Sequence, residues 1–188
     1  MSAVIVAYAD PPYPGCAHLY RDHPDYAGEV DHAQLARDLA SFDGFVLHTS
    51  SPAQYEVETH LRAAGVTDYR VMPWLKPFAA FKRNVSVAYA WEPVIVKACR
   101  KPVVTEREVM RDWLAVDRRE CSQHELDAIR ESITLKRGLT GAKPERLCRW
   151  LFEVVGLVPQ DELVDLFPGT GAVTRTWNAW CAELRLAV

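Results

Sequence analysis

The chain has no apolar run approaching the roughly 20 residues of a membrane-spanning helix. Its amino terminus lacks the basic-then-apolar layout of a secretory signal. No two cysteines stand in a CxxC spacing; the five present, Cys16, Cys99, Cys121, Cys148 and Cys181, are scattered and odd in number. That argues against a zinc framework and for reduced thiols, as in a cytoplasm. Nor is there an excess of basic charge. The net charge is −3, so a nucleic-acid partner would have to be met by a local patch and not by the molecule as a whole. What remains is an ordinary globular composition, 49% apolar and 25% charged over 188 residues. The simplest organisation is one domain, residues 1–188, with a sizeable core.

The organising stretch is Val4-Ile5-Val6-Ala7-Tyr8-Ala9-Asp10-Pro11-Pro12-Tyr13. Its apolar opening suits a buried strand and is too short for a helix. Two prolines then withdraw amide donors and hold the chain extended, with Gly15 just beyond. A carboxylate, a rigid proline pair and an aromatic ring thus sit together at the carboxyl end of an expected central strand, where open α/β sheets bind ligands. An Asp-Pro-Pro turn with a surface tyrosine would read the same way without any function. A second stretch weighs against that reading. Glu162-Leu163-Val164-Asp165-Leu166-Phe167-Pro168-Gly169-Thr170-Gly171, followed by Ala172-Val173-Thr174-Arg175, reads as strand, glycine turn and helix start. Glycines there let the backbone approach a ligand, and the helix amino terminus offers free amide hydrogens.

Between these stretches strands and helices alternate. Asp31 caps a helix through Leu35 and Leu39 to about Ser41, and Gly44 breaks it. Phe45 to Thr49 is the next strand. Ser50-Ser51-Pro52 opens a helix, with Pro52 at its first position, that runs to Ala64 and closes at Gly65. Tyr69 to Trp74 is a third strand, and the alternation predicts a parallel sheet. Lys76-Pro77-Phe78 and Lys82-Arg83-Asn84 then form a basic, aromatic loop, before a strand-forming run from Val85 to Lys97. Residues 14–30 read as a loop over the mouth of the site; Cys16, His18 and His23 in it match no common zinc spacing, and no metal is expected.

Thr105-x-x-Glu108 and Ser122-x-x-Glu125 are capping boxes. They announce one helix from Glu106 to Val116, burying Val109, Trp113 and Val116, and another from Gln123 to about Leu135. From Lys97 to Lys143 there are eleven basic and eight acidic residues, so half of the chain's 22 Lys and Arg fall in this interval. Lys143-Pro144-Glu145 opens a last long helix with Leu147, Trp150, Leu151 and Val154 on one face, ended by Gly156.

Asp10-Pro11-Pro12-Tyr13 resembles the catalytic motif of the S-adenosylmethionine-dependent amino-methyltransferases, which methylate exocyclic nitrogens of adenine or cytosine in nucleic acids. Asp165-Leu166-Phe167-Pro168-Gly169-Thr170-Gly171 resembles their cofactor motif, with Pro168 where alanine or cysteine is frequent. The catalytic motif preceding the cofactor motif resembles the permuted beta group. The resemblance implies an α/β, Rossmann-like methyltransferase sheet with helices on both faces, circularly permuted and truncated after the cofactor-motif helix. The family normally adds a further strand ending in a ribose-gripping acid; Glu183 is the one acid after Asp165 and stands too early for it.

The same resemblance assigns roles. The Asp10 carboxylate and the Pro11 carbonyl would accept hydrogens of the target amine, Pro12 would stiffen the turn, and Tyr13 would stack on the base. Asp165 would hold the methionine ammonium of S-adenosyl-L-methionine, Phe167 would bound the adenine pocket, and Gly169, Thr170 and Gly171 would approach the ligand. Lys143 would lie over the methionine part. Glu92 to Val96 would be a late strand paired antiparallel at the sheet edge, and Trp74, Phe78, Phe81 and Trp91 offer faces for a base pocket. Residues 100–142 would form a helical target-recognition insert, with His18, Lys82, Arg83, Lys136 and Arg137 meeting the substrate. The implied activity is methylation of adenine N6 in DNA by a cytoplasmic enzyme, and an unpaired sheet edge is compatible with a homodimer. Cytosine N4, an RNA base, and a catalytically degenerate nucleic-acid-binding or scaffold subunit stay open.

Overall fold

The computed structural model describes residues 2–21, 27–80, 86–101, 110–115 and 143–186, with the backbone alone at 77–80. Phe81, Lys82, Arg83, Lys136, Arg137 and the helix expected from Gln123 lie outside the described residues, as does most of the expected 100–142 insert.

The apolar runs become a six-stranded sheet: β1 (Ile5–Ala9), β2 (Gly44–His48), β3 (Arg70–Ala80), β4 (Tyr89–Lys97), β5 (Leu114–Ala115) and β6 (Glu162–Asp165), in the order β5-β3-β4-β2-β1-β6. β1 runs parallel to both β2 and β6, β3 runs parallel to β5, and β4 is antiparallel to its neighbours β2 and β3. Alternation along the strands divides two cores. Val6, Tyr8, Val46, Val94 and Val96 face α3 (Glu145–Val155) and α4 (Ala172–Leu186), with Leu151, Phe152, Trp177 and Trp180 among the packing residues. Ala7, Ala9, Phe45, Leu47 and Ile95 face α1 (His32–Ala40) and α2 (Gln54–Ala63) through Leu35, Leu39, Val57 and Leu61. Helices therefore cover both faces. Among the described residues no helix is long and apolar enough to cross a membrane.

Local signals account for the helix ends. The Asp31 carboxylate accepts the Gln34 amide at 2.8 Å, capping α1. α2 begins only at Gln54, after a turn over residues 51–53, and Gly65 follows it at φ +83°. Gly156 ends α3 at φ +85°, and a Cβ there would lie 2.5 Å from the Arg100 carbonyl oxygen. Gly156→Ala is therefore expected to destabilise the fold by about 2–3 kcal/mol, combining left-handed strain with a backbone clash, as read from urea unfolding.

Three expectations are corrected. β4 is not an edge strand: it lies between β2 and β3, because Val94, Ile95 and Val96 are buried at both faces and such a run needs cover on each side. Pro93 falls opposite Thr49, just past the end of β2, where a missing ladder donor is tolerated. The helix expected from Glu106 to Val116 is absent at its described end, since Leu114–Ala115 pairs with Trp74 and Leu75 of β3, and Trp113 is 38% exposed. The open hydrogen-bonding edge of β3 outweighs a local capping signal there. Gly44 does not break a helix but opens β2, where a Cβ would meet the Lys97 oxygen at 2.7 Å.

One end of the sheet is locked by a buried acid. Asp161 accepts the Val4 and Val158 amides at 3.1 and 2.8 Å and pairs with Arg100, whose guanidinium also donates to the Gly156 carbonyl at 2.9 Å. Burial alone would raise the Asp161 carboxyl, but Arg100 and the two amides hold it below its ordinary range. The opposite end carries the motifs.

Candidate active site

Tyr8 stands opposite Asp165 in the β1–β6 register, and the Leu166 amide donates to the Tyr8 carbonyl at 2.9 Å. Asp10-Pro11-Pro12-Tyr13 and Phe167 to Gly171 therefore leave neighbouring strands side by side, from the same carboxyl rim. The end of β2 brings His48 and Thr49 to that rim, the start of antiparallel β4 brings Glu92, and β3 brings Trp74 and Lys76. Pro11 is buried. His32, at the start of α1, is partly buried beside the Pro12 backbone, and burial lowers its pKa. Gly15 turns the chain at φ +74°, the Cys16 amide donates to the Tyr13 carbonyl at 2.8 Å, and exposed His18 places Nδ1 3.0 Å from the Gly15 carbonyl. His18 is thus held by its own turn.

Around Asp10 the structure assembles charges that lie far apart in sequence. Lys143, whose side chain is 5% exposed, places Nζ 2.8 Å from Asp10 Oδ2 and 3.9 Å from Glu92 Oε2. Lys76 pairs with Glu92 Oε1. Both ammonium groups lie over the buried Trp74 ring, at 5.6 and 5.1 Å from its centroid, where the π face attracts cations. Burial raises the Asp10 carboxyl above its ordinary range, with Lys143 opposing. Burial would also raise Glu92, but Lys143 and Lys76, with the Tyr13 phenol nearby, outweigh it and hold Glu92 below. Lys143 is desolvated, yet the two carboxylates hold its pKa above that of an ordinary lysine. Tyr13 is pushed well up, first by burial and then by Glu92 and Asp10, which keeps it a neutral phenol.

Beneath this layer the Tyr8 hydroxyl bonds His48 Nε2 at 2.7 Å. Burial, reinforced by Lys143, drives the His48 pKa well down and leaves the ring neutral. The neighbouring Cys148 thiol is pushed up to about 12 by burial, so it remains an unreactive thiol. His48 Nδ1, Thr49 Oγ1, Trp74 Nε1 and Glu92 Oε2 are buried at this rim without a hydrogen-bond partner among the described residues.

The second turn is open where the first is crowded. Pro168, Gly169 and Thr170 are exposed, Gly169 and Gly171 sit at φ +48° and +72°, and nothing lies nearer a Gly169 Cβ position than the Phe167 oxygen at 3.9 Å. Among the described residues Asp165 accepts two long bonds, from the Phe167 amide and Thr174 Oγ1, both at 3.3 Å, and burial raises its carboxyl. A carboxylate so weakly engaged retains acceptor capacity for a cationic ligand group. Arg175 folds back onto the Thr170 carbonyl at 2.6 Å and pins the turn to α4. Phe167 packs against the α1–α2 core from beside it. Glu183 is engaged elsewhere, accepting from both terminal nitrogens of Arg149 at 2.7 Å.

Sequence reasoning placed Asp10, Pro11, Pro12, Tyr13, Asp165, Phe167, Gly169, Thr170 and Gly171, and the structure brings them to one rim. It did not single out Glu92, Thr174 or His32, and it placed Lys143 toward the cofactor without its pairing to Asp10. The available signal for Glu92 was a lone acid opening an otherwise apolar strand.

A mixed sheet of this order, with helices on both faces and two turns at one rim, is an α/β Rossmann-like methyltransferase fold, and its non-sequential strand order is consistent with circular permutation. Among solved structures, the crystal structure of the M1.HpyAVI-SAM complex is similar to it, with a TM-score of 0.55 and 16% sequence identity over 94% of this chain and 78% of that one. At that identity the fold is what the two share. No family model and no curated protein matches the chain.

Proposed function

We propose that this chain is an S-adenosylmethionine-dependent methyltransferase of the permuted beta group, acting on an exocyclic amino group of a nucleic-acid base, with adenine N6 in DNA as the acceptor. The observation that carries the reading is the side-by-side exit of Asp10 and the Phe167–Gly171 turn from adjacent parallel strands. A donor held at one turn and an amine held at the other would meet across a single strand spacing.

The residues fit the cofactor. Gly169 leaves open space beside the turn, Arg175 steadies the turn from α4, the amino end of α4 offers helix-terminal amides, and Asp165 has acceptor capacity for an ammonium. Bound there, S-adenosylmethionine supplies an electrophilic methyl group on a sulfonium. The protein's task is positioning and electrostatics. An exocyclic amine is a poor nucleophile because its lone pair is delocalised into the ring. Asp10 and the Pro11 carbonyl, fixed by the proline pair and by burial, would accept its hydrogens and turn that lone pair toward the methyl. Tyr13 would bound the base, which must be extruded from a duplex or already single-stranded. Lys82, Arg83, Lys136 and Arg137 are proposed to contact the nucleic acid, with His18 beside the mouth of the site. The protein that M1.HpyAVI names was crystallised with SAM, which supports the cofactor assignment.

The test is label transfer from methyl-labelled S-adenosylmethionine to mixed-sequence DNA and RNA, followed by nucleoside analysis. N6-methyladenine in DNA is expected. Label confined to cytosine N4 or to RNA would move the acceptor, and cofactor binding with no label in any pool would remove the reaction. On the cofactor side, Asp165→Asn is expected to weaken S-adenosylhomocysteine binding by about ten- to a hundredfold in calorimetry, the worth of a hydrogen bond to a charged group.

A further inference from the structure

We infer that Lys143 is a two-position cation, seated on Asp10 in the structure, and that Glu92 is the positioning residue that receives it when an acceptor amine binds. The inference rests on the methyl-transfer reading of this rim and adds a residue and a movement to it.

In the structure Lys143 Nζ occupies Asp10 Oδ2 at 2.8 Å. The amine of a base must give its hydrogens to that same carboxylate. A charged donor is bound there about twice as strongly as a neutral one, so Lys143 in this seat competes with the acceptor. A second seat is already built. Glu92 Oε2 lies 3.9 Å from the same nitrogen, is buried, and accepts no hydrogen bond among the described residues. Its sister oxygen is held by Lys76, so the carboxylate keeps its orientation. The Trp74 face lies beneath both ammonium groups and keeps Lys143 attracted along the short path between the carboxylates. A flexible stem ending in a point charge with three rotatable donors suits such a shift, where a planar guanidinium would not. With Lys143 on Glu92, Asp10 is free to accept the amine, and the cation still balances the pair of acids.

Two experiments test this separately from the reaction itself. Asp10→Asn keeps the shape of the side chain and removes its charge. In the crystal structure of that variant Lys143 Nζ is expected at about 2.8 Å from Glu92 Oε2. An ammonium still on residue 10, or turned to solvent, overturns the inference, and no activity is needed to see it. In kinetics, Glu92→Gln retains an acceptor for Lys76 but no charge for Lys143. It is expected to lower kcat at least about tenfold while KM for S-adenosylmethionine and calorimetric affinity for S-adenosylhomocysteine stay within about twofold. A Glu92→Gln enzyme as fast as an active wild type overturns the inference alone. A wild type that methylates no nucleic acid overturns the proposed function instead, and the Asp10→Asn structure still decides where Lys143 goes.

Discussion

Asp10→Ala is expected to abolish methyl transfer, a loss of at least about 10²–10³ in kcat, while the protein stays folded and binds S-adenosylhomocysteine nearly as wild type does. The catalytic loss follows from position. Asp10 closes β1 next to the strand that carries the glycine turn, and it is the carboxylate there able to meet an amine aimed at a methyl group on that turn. The survival of the fold follows from energetics. Burial raises the Asp10 carboxyl despite Lys143 beside it, so the ionised group is a burden on the folded state and not a prop for it. Its removal leaves Lys143 with Glu92 as a partner, so no buried cation is orphaned. Single-turnover label transfer and urea unfolding, measured together, test both halves. Transfer retained in the variant would end the role given to Asp10, and an unfolded variant would show that its charge supports the fold.

What could be read from the chain alone divides along physical lines. The two turns were legible because their chemistry is local: an apolar run stopped by Pro11 and Pro12, and a run stopped by Gly169 and Gly171 before a helix. Helix ends were legible for the same reason, at Asp31, Gly65 and Gly156, where one residue decides the backbone conformation. The place of β4 was not, because an apolar run cannot say which neighbours will cover it; pairing with both β2 and β3 decides that. Leu114–Ala115 escaped for a related reason, since its partner is an open strand edge 40 residues earlier in the chain. The Asp10–Lys143–Glu92–Lys76 cluster was least legible of all. The resemblance assigns Asp10 and Lys143 to different ligands and Glu92 and Lys76 to none, and only the sheet order sets a lysine at the start of α3 between acids from β1 and β4.

Lys143→Met should be the most destabilising single change at this rim, about 3 kcal/mol at neutral pH. Breaking a buried pair by deleting one partner costs about 3–5 kcal/mol, and the lower end applies because the Asp10 side chain keeps 23% of its surface open to water. The sign with pH is fixed by the acids left behind. In the wild type Glu92 is held below its ordinary range, so its contribution is present above that range and lost as pH falls through its folded pKa. Without Lys143, Asp10 loses its main lowering partner and Glu92 one of its two, Lys76 remaining, so both carboxyls shift upward. An acid raised by folding favours the native state only where it is protonated, so the deficit of the variant should be smallest near about pH 4 and widen toward pH 7. Urea unfolding at a series of pH values reads this directly; a deficit that does not change with pH would mean that packing of the lysine stem, not its charge, holds the site together. Lys143→Arg separates stability from turnover. The guanidinium restores the charge, and with it most of the lost stability, but its planar fork stays on Asp10 where an ammonium could move to Glu92. That variant should therefore fold almost as well as the wild type and methylate far more slowly.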